Sequence, residues 1–114
     1  MKSDKRRYAR IPVDVEFSVR DSTGGPEEVG RLFFAARNVS AGGAFLVSDI
    51  LFEKGTWLHV RFQLPSLHPI EALALVAWVN EGDDDQAEPG MGIHFSEISR
   101  IDLQAIERFV QAEV

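Results

Sequence analysis

The chain has 114 residues, a length that suits one domain around a single modest hydrophobic core. Hydrophobic residues make up 45% and charged residues 26%, as in ordinary folded proteins, and no apolar run approaches the roughly 18 to 20 residues that span a bilayer. The absence of cysteine excludes disulfides, thiolate nucleophiles and Cys-based zinc sites. Because the N-terminus is basic and lacks an apolar secretory segment, we expect a cytoplasmic protein that does not insert into membranes.

Positive charge is concentrated at the start of the chain. Residues 1–10 hold five of the twelve Lys and Arg but one of the eighteen Asp and Glu, a net charge of +4. The other 104 residues carry seven basic and seventeen acidic side chains, a net charge of −10. Such an acidic body disfavours nucleic acid polymers, whose binding needs a broad basic surface. A local arginine cluster could still bind a small anion.

Apolar and polar residues alternate along most of the sequence, which predicts half-buried strands. The first strand is IPVDVEFSVR, residues 11–20, and a loop rich in Gly, Pro and acidic residues follows at 21–28. A second loop, EGDDDQAEPG, is strongly acidic. The remaining predicted strands cover residues 29–40, 43–48, 56–64, 70–80 and 91–96.

The segment SRIDLQAIERFVQAEV, residues 99–114, predicts the one clear helix of the sequence. Ser99 can cap its first turn, Asp102 lies near the positive end of the helix dipole, and Ile101, Ala105, Ile106, Phe109 and Val110 form an apolar stripe. Since strand 70–80 is apolar on both faces in its middle, we expect the helix to cover its second face. Six strands and a terminal helix predict an all-β fold, either a small antiparallel barrel or a strongly curled sheet. The predicted organisation is a flexible basic arm over 1–10 and one domain over 11–114.

The sequence gives little support for catalysis or metal binding. The acidic run 83–85 lacks the ligand spacing of a calcium loop, and we interpret it as a solvated loop. His59, His68 and His94 are far apart and match no metal-site spacing. Ser40 lies in no nucleophile elbow. We therefore predict a protein that is not an enzyme and that needs no metal or cofactor.

Two short motifs remain as candidate binding elements. In RRYAR, Arg6 and Arg10 are three residues apart, and guanidinium groups can bind phosphate bidentately and stack on bases. In NVSAGG, residues 38–43, polar side chains and paired glycines can form a tight turn that approaches a ligand closely. Taken singly, the first motif could be a solubilising arm and the second an ordinary turn.

Together, the two motifs resemble the signature of the PilZ domain family, an Arg-x-x-x-Arg arm followed by (Asp/Asn)-x-Ser-x-x-Gly. The segments GTWLHVRFQLP, LVAWV and GMGIHFSEIS are similar to later strands of that family, so the resemblance covers residues 5 to 110. It implies a six-stranded antiparallel barrel with a C-terminal α-helix. It also implies a non-catalytic receptor for cyclic di-GMP (c-di-GMP), a bacterial second messenger.

The resemblance also implies roles for particular residues. Arg6 and Arg10 occupy the motif arginines, expected to stack on guanine and to bond its edges or the phosphates, and Arg7 could bind a phosphate. The NVSAGG segment would supply the base-edge contact, a hydroxyl and open space for the base. These ligand-binding residues are Asn38, Ser40 and Gly43, with Trp78 as an aromatic near the ligand.

We hypothesise that the arm is mobile when empty and folds over the barrel near Asn38 when c-di-GMP binds. The rearranged surface would then signal to an unidentified downstream protein partner. An alternative is a PilZ-like adaptor that binds a protein partner without the ligand.

Overall fold

Six strands are followed by one helix along the chain. The computed structural model describes residues 11–22, 31–82 and 88–113. The elements are β1 (Ile11–Asp21), β2 (Leu32–Ser40), β3 (Gly43–Val47), β4 (Trp57–Phe62), β5 (Ile70–Asn80), β6 (Gly90–Ile98) and α1 (Arg100–Glu113). Each predicted strand and the predicted helix is confirmed with small shifts at its ends. The predicted basic arm, residues 1–10, lies outside the described residues.

The strands form one closed sheet in the order β1-β2-β3-β6-β5-β4, and every pairing is antiparallel. β1 closes it, because Val19 pairs with Leu32 of β2 on one side and with Val60 of β4 on the other. Closure removes the unpaired edges that an open sheet would expose to other chains. The six-stranded antiparallel barrel with a C-terminal helix is therefore confirmed.

Alternating residues of the strands fill the barrel with apolar side chains. Phe17 and Val19 of β1 are fully buried, whereas Asp14 and Glu16 point to solvent as the alternation predicted. Three aromatic rings stack in the core, with centroid separations of 4.1 Å for Phe17 and Phe62 and 5.7 Å for Phe62 and Phe95. The interior is packed with side chains, so a ligand must bind on the outer surface or at an end.

The first turn of α1 is held by two side chains. The Ser99 hydroxyl accepts a hydrogen bond from the Asp102 amide at 3.1 Å, which confirms the predicted cap. The Asp102 carboxylate in turn lies 2.7 Å from Nε2 of His68 in the β4–β5 loop. Over the described residues, no helix is long and apolar enough to cross a membrane.

The position of α1 differs from the prediction in two respects. Its principal neighbour among the strands is β2, not β5, because its apolar stripe joins the core of the barrel instead of the outer face of β5. Ile101 was predicted to belong to that stripe, but its side chain is 70% exposed. The buried helix residues are Ala105, Ile106 and Val110.

Candidate functional site

The NVSAGG motif forms the turn between β2 and β3. Ser40 is buried, and its hydroxyl accepts a hydrogen bond from the Gly42 amide at 3.1 Å and donates to the Gly43 carbonyl at 3.4 Å. The hydroxyl therefore stabilises the turn from within, as Ser side chains commonly do. The turn therefore explains why a serine is buried at this position, whether or not a ligand binds.

Gly43 lies where β3 and β6 approach each other closely. It is buried and pairs with His94, and a Cβ atom built on it would overlap the Ile93 carbonyl oxygen and lie 3.2 Å from Cα of His94. No side chain can occupy this position without moving backbone atoms. Strand packing therefore already requires glycine here, and the role that the resemblance implies, open space for a base, stays a prediction.

Asn38 lies at the point where the N-terminal arm joins the barrel. It is half-buried and pairs with Pro12 of β1 on one side and Phe45 of β3 on the other. Ile11, the residue that follows Arg10 in the sequence, pairs with Val39. Ile11, the first residue that the structure describes, is therefore held beside the NVSAGG motif by β-sheet pairing.

Four residues on neighbouring strands extend from this point across the outside of the barrel: Asn38, Phe45, Gly92 and Trp78, which we call the outer row. The Trp78 side chain is 43% exposed and its ring stacks on Phe45, with centroids 5.3 Å apart and planes 15° apart. A Cβ atom on Gly92 would overlap the Trp78 indole, so this glycine lets the indole lie against the sheet. At about 4.8 Å per strand, the row is about 14 Å long.

The structure thus places Asn38 and Ser40 at the end of β2 and Gly43 at the start of β3, around the turn that joins the two strands, and aligns Trp78 with Asn38 across the sheet. The predicted Arg6, Arg7 and Arg10 lie outside the described residues. Sequence reasoning missed two members of the row, Phe45 and Gly92. A glycine inside a strand pattern was a signal, since it often marks a close approach.

An ion pair flanks the outer row at the bulge of β2. Arg37 precedes Asn38, and its Nε donates to a carboxylate oxygen of Glu88 at 3.0 Å while a second guanidinium nitrogen donates to the other oxygen. The Glu88 carbonyl also accepts from Nδ2 of Asn80 at 2.8 Å. These contacts hold residue 88 and the end of β5 beside the row. Among the described residues, no group of three or more His, Asp or Glu is placed to hold a metal ion.

The family relationship follows from a comparison of the whole chain. A model of the PilZ domain matches residues 4–112, which includes Arg6, Arg7, Arg10 and every strand of the barrel. The chain belongs to the PilZ domain family. The resemblance noted from the two motifs is therefore confirmed, although the match does not itself assign a role to any residue.

Solved structures share the barrel of this PilZ domain. The Bacillus subtilis inhibitor of motility, MotI/DgrA, is similar with a TM-score of 0.79 and 25% identity over 96% of this chain and 51% of that one. The PilZ domain of Escherichia coli YcgR, solved with c-di-GMP, is similar with a TM-score of 0.71 and 14% identity over 96% of this chain and 92% of that one. The complex of K. pneumonia MrkH with c-di-GMP is similar with a TM-score of 0.69 and 18% identity over 96% of this chain and 52% of that one.

The chain therefore spans about half the length of the MotI/DgrA and MrkH chains. No protein among those with curated functions gives a significant match to it.

A separate cluster of polar side chains lies on the outer face of β1 and β4 in this PilZ domain. Arg31 donates to the hydroxyl and the carbonyl of Ser18 at 2.6 and 3.0 Å and lies 3.4 Å from Nδ1 of His59. On the other side of His59, the Glu71 carboxylate lies 3.4 Å from Nε2 of His59 and forms an ion pair with Nε of Arg61 at 3.0 Å. These contacts form a continuous polar chain across three strands.

This environment makes the stability of the domain depend on pH through the protonation of His59. Burial lowers the pKa of His59 below its usual 6.5, Arg31 lowers it further, and Glu71 opposes them. Near and below pH 6.5, the unfolded chain thus binds more protons at this histidine than the folded chain does, so the free energy of unfolding falls as the pH falls. We expect His59→Gln to reduce this fall between about pH 7.5 and 5.5, measured by urea denaturation. His94→Gln is the control, and an equal change in that variant would contradict the assignment to His59.

Proposed function

We propose that this PilZ domain binds c-di-GMP between its N-terminal arm and the outer row, and that binding, not catalysis, is its function. Family membership supports the proposal, as do the c-di-GMP complexes of YcgR and MrkH. The observation that carries it is the pairing of Ile11 with Val39, which places the residue that follows Arg10 in the sequence beside the NVSAGG motif. The two sequence motifs, far apart along the chain, can therefore act on one ligand.

The chemistry of these residues suits a dinucleotide with two phosphates and two guanines. Arg6 and Arg10 would supply guanidinium planes for stacking and charge-assisted hydrogen bonds to the phosphates. The Asn38 amide can accept and donate hydrogen bonds at a guanine edge. The exposed Trp78 ring, supported by Phe45, offers a flat apolar surface at the other end of the row. The acidic body would exclude longer polyanions.

Calorimetric titration of the full chain with c-di-GMP tests this function directly. We expect saturable heat with c-di-GMP and a much weaker response to cyclic di-AMP, because adenine lacks the guanine carbonyl and amino groups. GMP controls for binding of a single nucleotide. The proposal would be wrong if c-di-GMP gave no heat, or if cyclic di-AMP bound equally well.

The tryptophan of the row allows a matched comparison with a second tryptophan outside it. Trp78 and Trp57 are similarly exposed, at 43% and 40%, but only Trp78 lies on the outer row. Stacking of a base on an aromatic ring contributes about 1–3 kcal/mol, so we expect Trp78→Ala to weaken c-di-GMP binding about tenfold. Trp57→Ala should bind within about twofold of the wild type. Equal affinities in a calorimetric titration of both variants would remove Trp78 from the site.

We further propose that c-di-GMP orders the arm against the barrel and that a protein partner recognises the ordered surface. Ordering a short segment costs conformational entropy, which the arginine contacts to the ligand must exceed. Arm position would therefore depend on ligand concentration, which is the property a receptor requires.

A further inference from the structure

An arginine outside the two motifs lies beside the outer row, at the bulge of β2. Arg37 stands between Ala36 and Asn38, at the point where the register of β2 with β3 shifts, and it has no counterpart on β3. Bulges often direct a side chain away from the regular sheet. The Arg37 side chain is 58% exposed, and its guanidinium group forms an ion pair with Glu88, whose side chain is 48% exposed.

The ion pair of Arg37 and Glu88 lies next to one half of the outer row. β3 lies between β2, which carries Arg37, and β6, which begins two residues after Glu88. Phe45 of β3 pairs with Asn38, the neighbour of Arg37. The Phe45 ring reaches Gly90 at the start of β6, where an added Cβ atom would lie 2.6 Å from Cζ of the ring. Both members of the ion pair therefore border the Asn38 and Phe45 half of the row, where the ligand is proposed to bind.

We propose that Arg37 is a further phosphate-binding residue for c-di-GMP and that the Glu88 carboxylate competes with the ligand for it. This inference rests on the proposed function and adds a binding residue that neither motif contains. A guanidinium group binds phosphate through the same planar set of donors that binds a carboxylate. Glu88 accepts from Nε and one terminal nitrogen of Arg37, whereas the other terminal nitrogen forms no hydrogen bond within the described part of the chain.

The contact between the two side chains is weak enough to exchange, although Glu88 itself is held in place. Exposed ion pairs contribute little to stability, because water screens them and both side chains lose freedom. The Glu88 backbone is fixed by the hydrogen bond from Nδ2 of Asn80 to its carbonyl at 2.8 Å. The carbonyl of the next residue, Pro89, accepts from the Ser48 amide at 3.0 Å. The carboxylate therefore stays within reach of Arg37, and an anion must displace it to bind the same donors.

Calorimetric titration of the full chain with c-di-GMP tests this inference in the wild type, Arg37→Gln, Glu88→Gln and the double variant. Glu81→Gln is the matched control for Glu88→Gln, because it removes one negative charge from an exposed residue at the other end of the β5–β6 loop. Arg108→Gln removes one positive charge from an exposed position of α1 and is the control for Arg37→Gln. Thermal unfolding verifies the fold of each variant, and loss of an exposed pair should change the Tm by less than about 5 °C.

We expect Glu88→Gln to bind c-di-GMP about threefold more tightly than the wild type, because the guanidinium group no longer has to leave a carboxylate. Arg37→Gln should bind about fivefold more weakly. The double variant should lie within about 1.5-fold of Arg37→Gln, since Glu88 acts through Arg37. Glu81→Gln and Arg108→Gln should remain within about 1.5-fold of the wild type.

The inference is overturned if Arg37→Gln retains the wild-type affinity, or if Glu81→Gln gives the same gain as Glu88→Gln. It is also overturned if Glu88→Gln binds no more tightly than the wild type, since the carboxylate would then support the guanidinium group and not compete for it. Each of these results leaves the proposed function intact, because the wild type still binds c-di-GMP. A wild type that gives no heat would refute the proposed function and this inference together.

Discussion

Arg6→Ala and Arg10→Ala are each expected to weaken c-di-GMP binding by about 10- to 100-fold in calorimetric titrations. A hydrogen bond to a charged group contributes about 1.5–3 kcal/mol, and every 1.4 kcal/mol changes an affinity tenfold. Each arginine is proposed to make such bonds to a phosphate or a guanine edge. The loss should be larger than that of Trp78→Ala, because charge and stacking are removed together.

Arg108→Ala is the matched control for these variants, since it removes one positive charge from an exposed position of α1. It should bind c-di-GMP within about twofold of the wild type. If Arg6→Ala and Arg10→Ala retained the wild-type affinity, the arm would have no part in the site. If all three variants lost affinity equally, attraction would depend on net charge and not on an arginine motif.

Gly43→Ala is expected to cause the largest loss of stability. The added methyl group would overlap the Ile93 carbonyl oxygen, and both β3 and β6 are held by their sheet partners. Overpacking of this kind costs about 3 kcal/mol, which would lower the Tm by about 10–20 °C in calorimetric scans.

Gly92→Ala provides the comparison for that variant. Here the added methyl group meets the Trp78 indole, an exposed side chain that can rotate away, instead of backbone atoms. We expect a smaller loss of Tm together with a shift in tryptophan emission as the indole leaves the sheet. A Gly43→Ala variant as stable as the wild type would contradict the packing role assigned to Gly43.

The fold could be predicted from local patterns because those patterns have local causes. Alternation in IPVDVEFSVR follows from one buried and one exposed face, and Phe17 and Val19 are indeed inside. The Ser99 cap depends on residues three positions apart. The number of strands, the alternation of buried and exposed residues along a strand, and the start of the helix therefore follow from short stretches of sequence.

Other features depend on contacts between distant parts of the chain. The outer row exists only through the registers of β2 with β3, β3 with β6 and β6 with β5, and bulges shift two of these registers. The sequence alone therefore could not identify Phe45 as the residue between Asn38 and Gly92. The same limit explains the helix, because an apolar stripe shows that α1 packs but not that β2 is its neighbour or that Ile101 is left exposed.

The most direct test of the central claim is a two-dimensional NMR titration of the isotope-labelled chain with c-di-GMP. A site between the arm and the outer row predicts saturable shifts of the Asn38 and Gly92 amides and of the Trp78 indole N–H. Signals of His59 and Arg61, on the opposite side of the barrel, should remain in place. Shifts confined to His59 and Arg61, or the absence of any saturable shift, would contradict the proposed site.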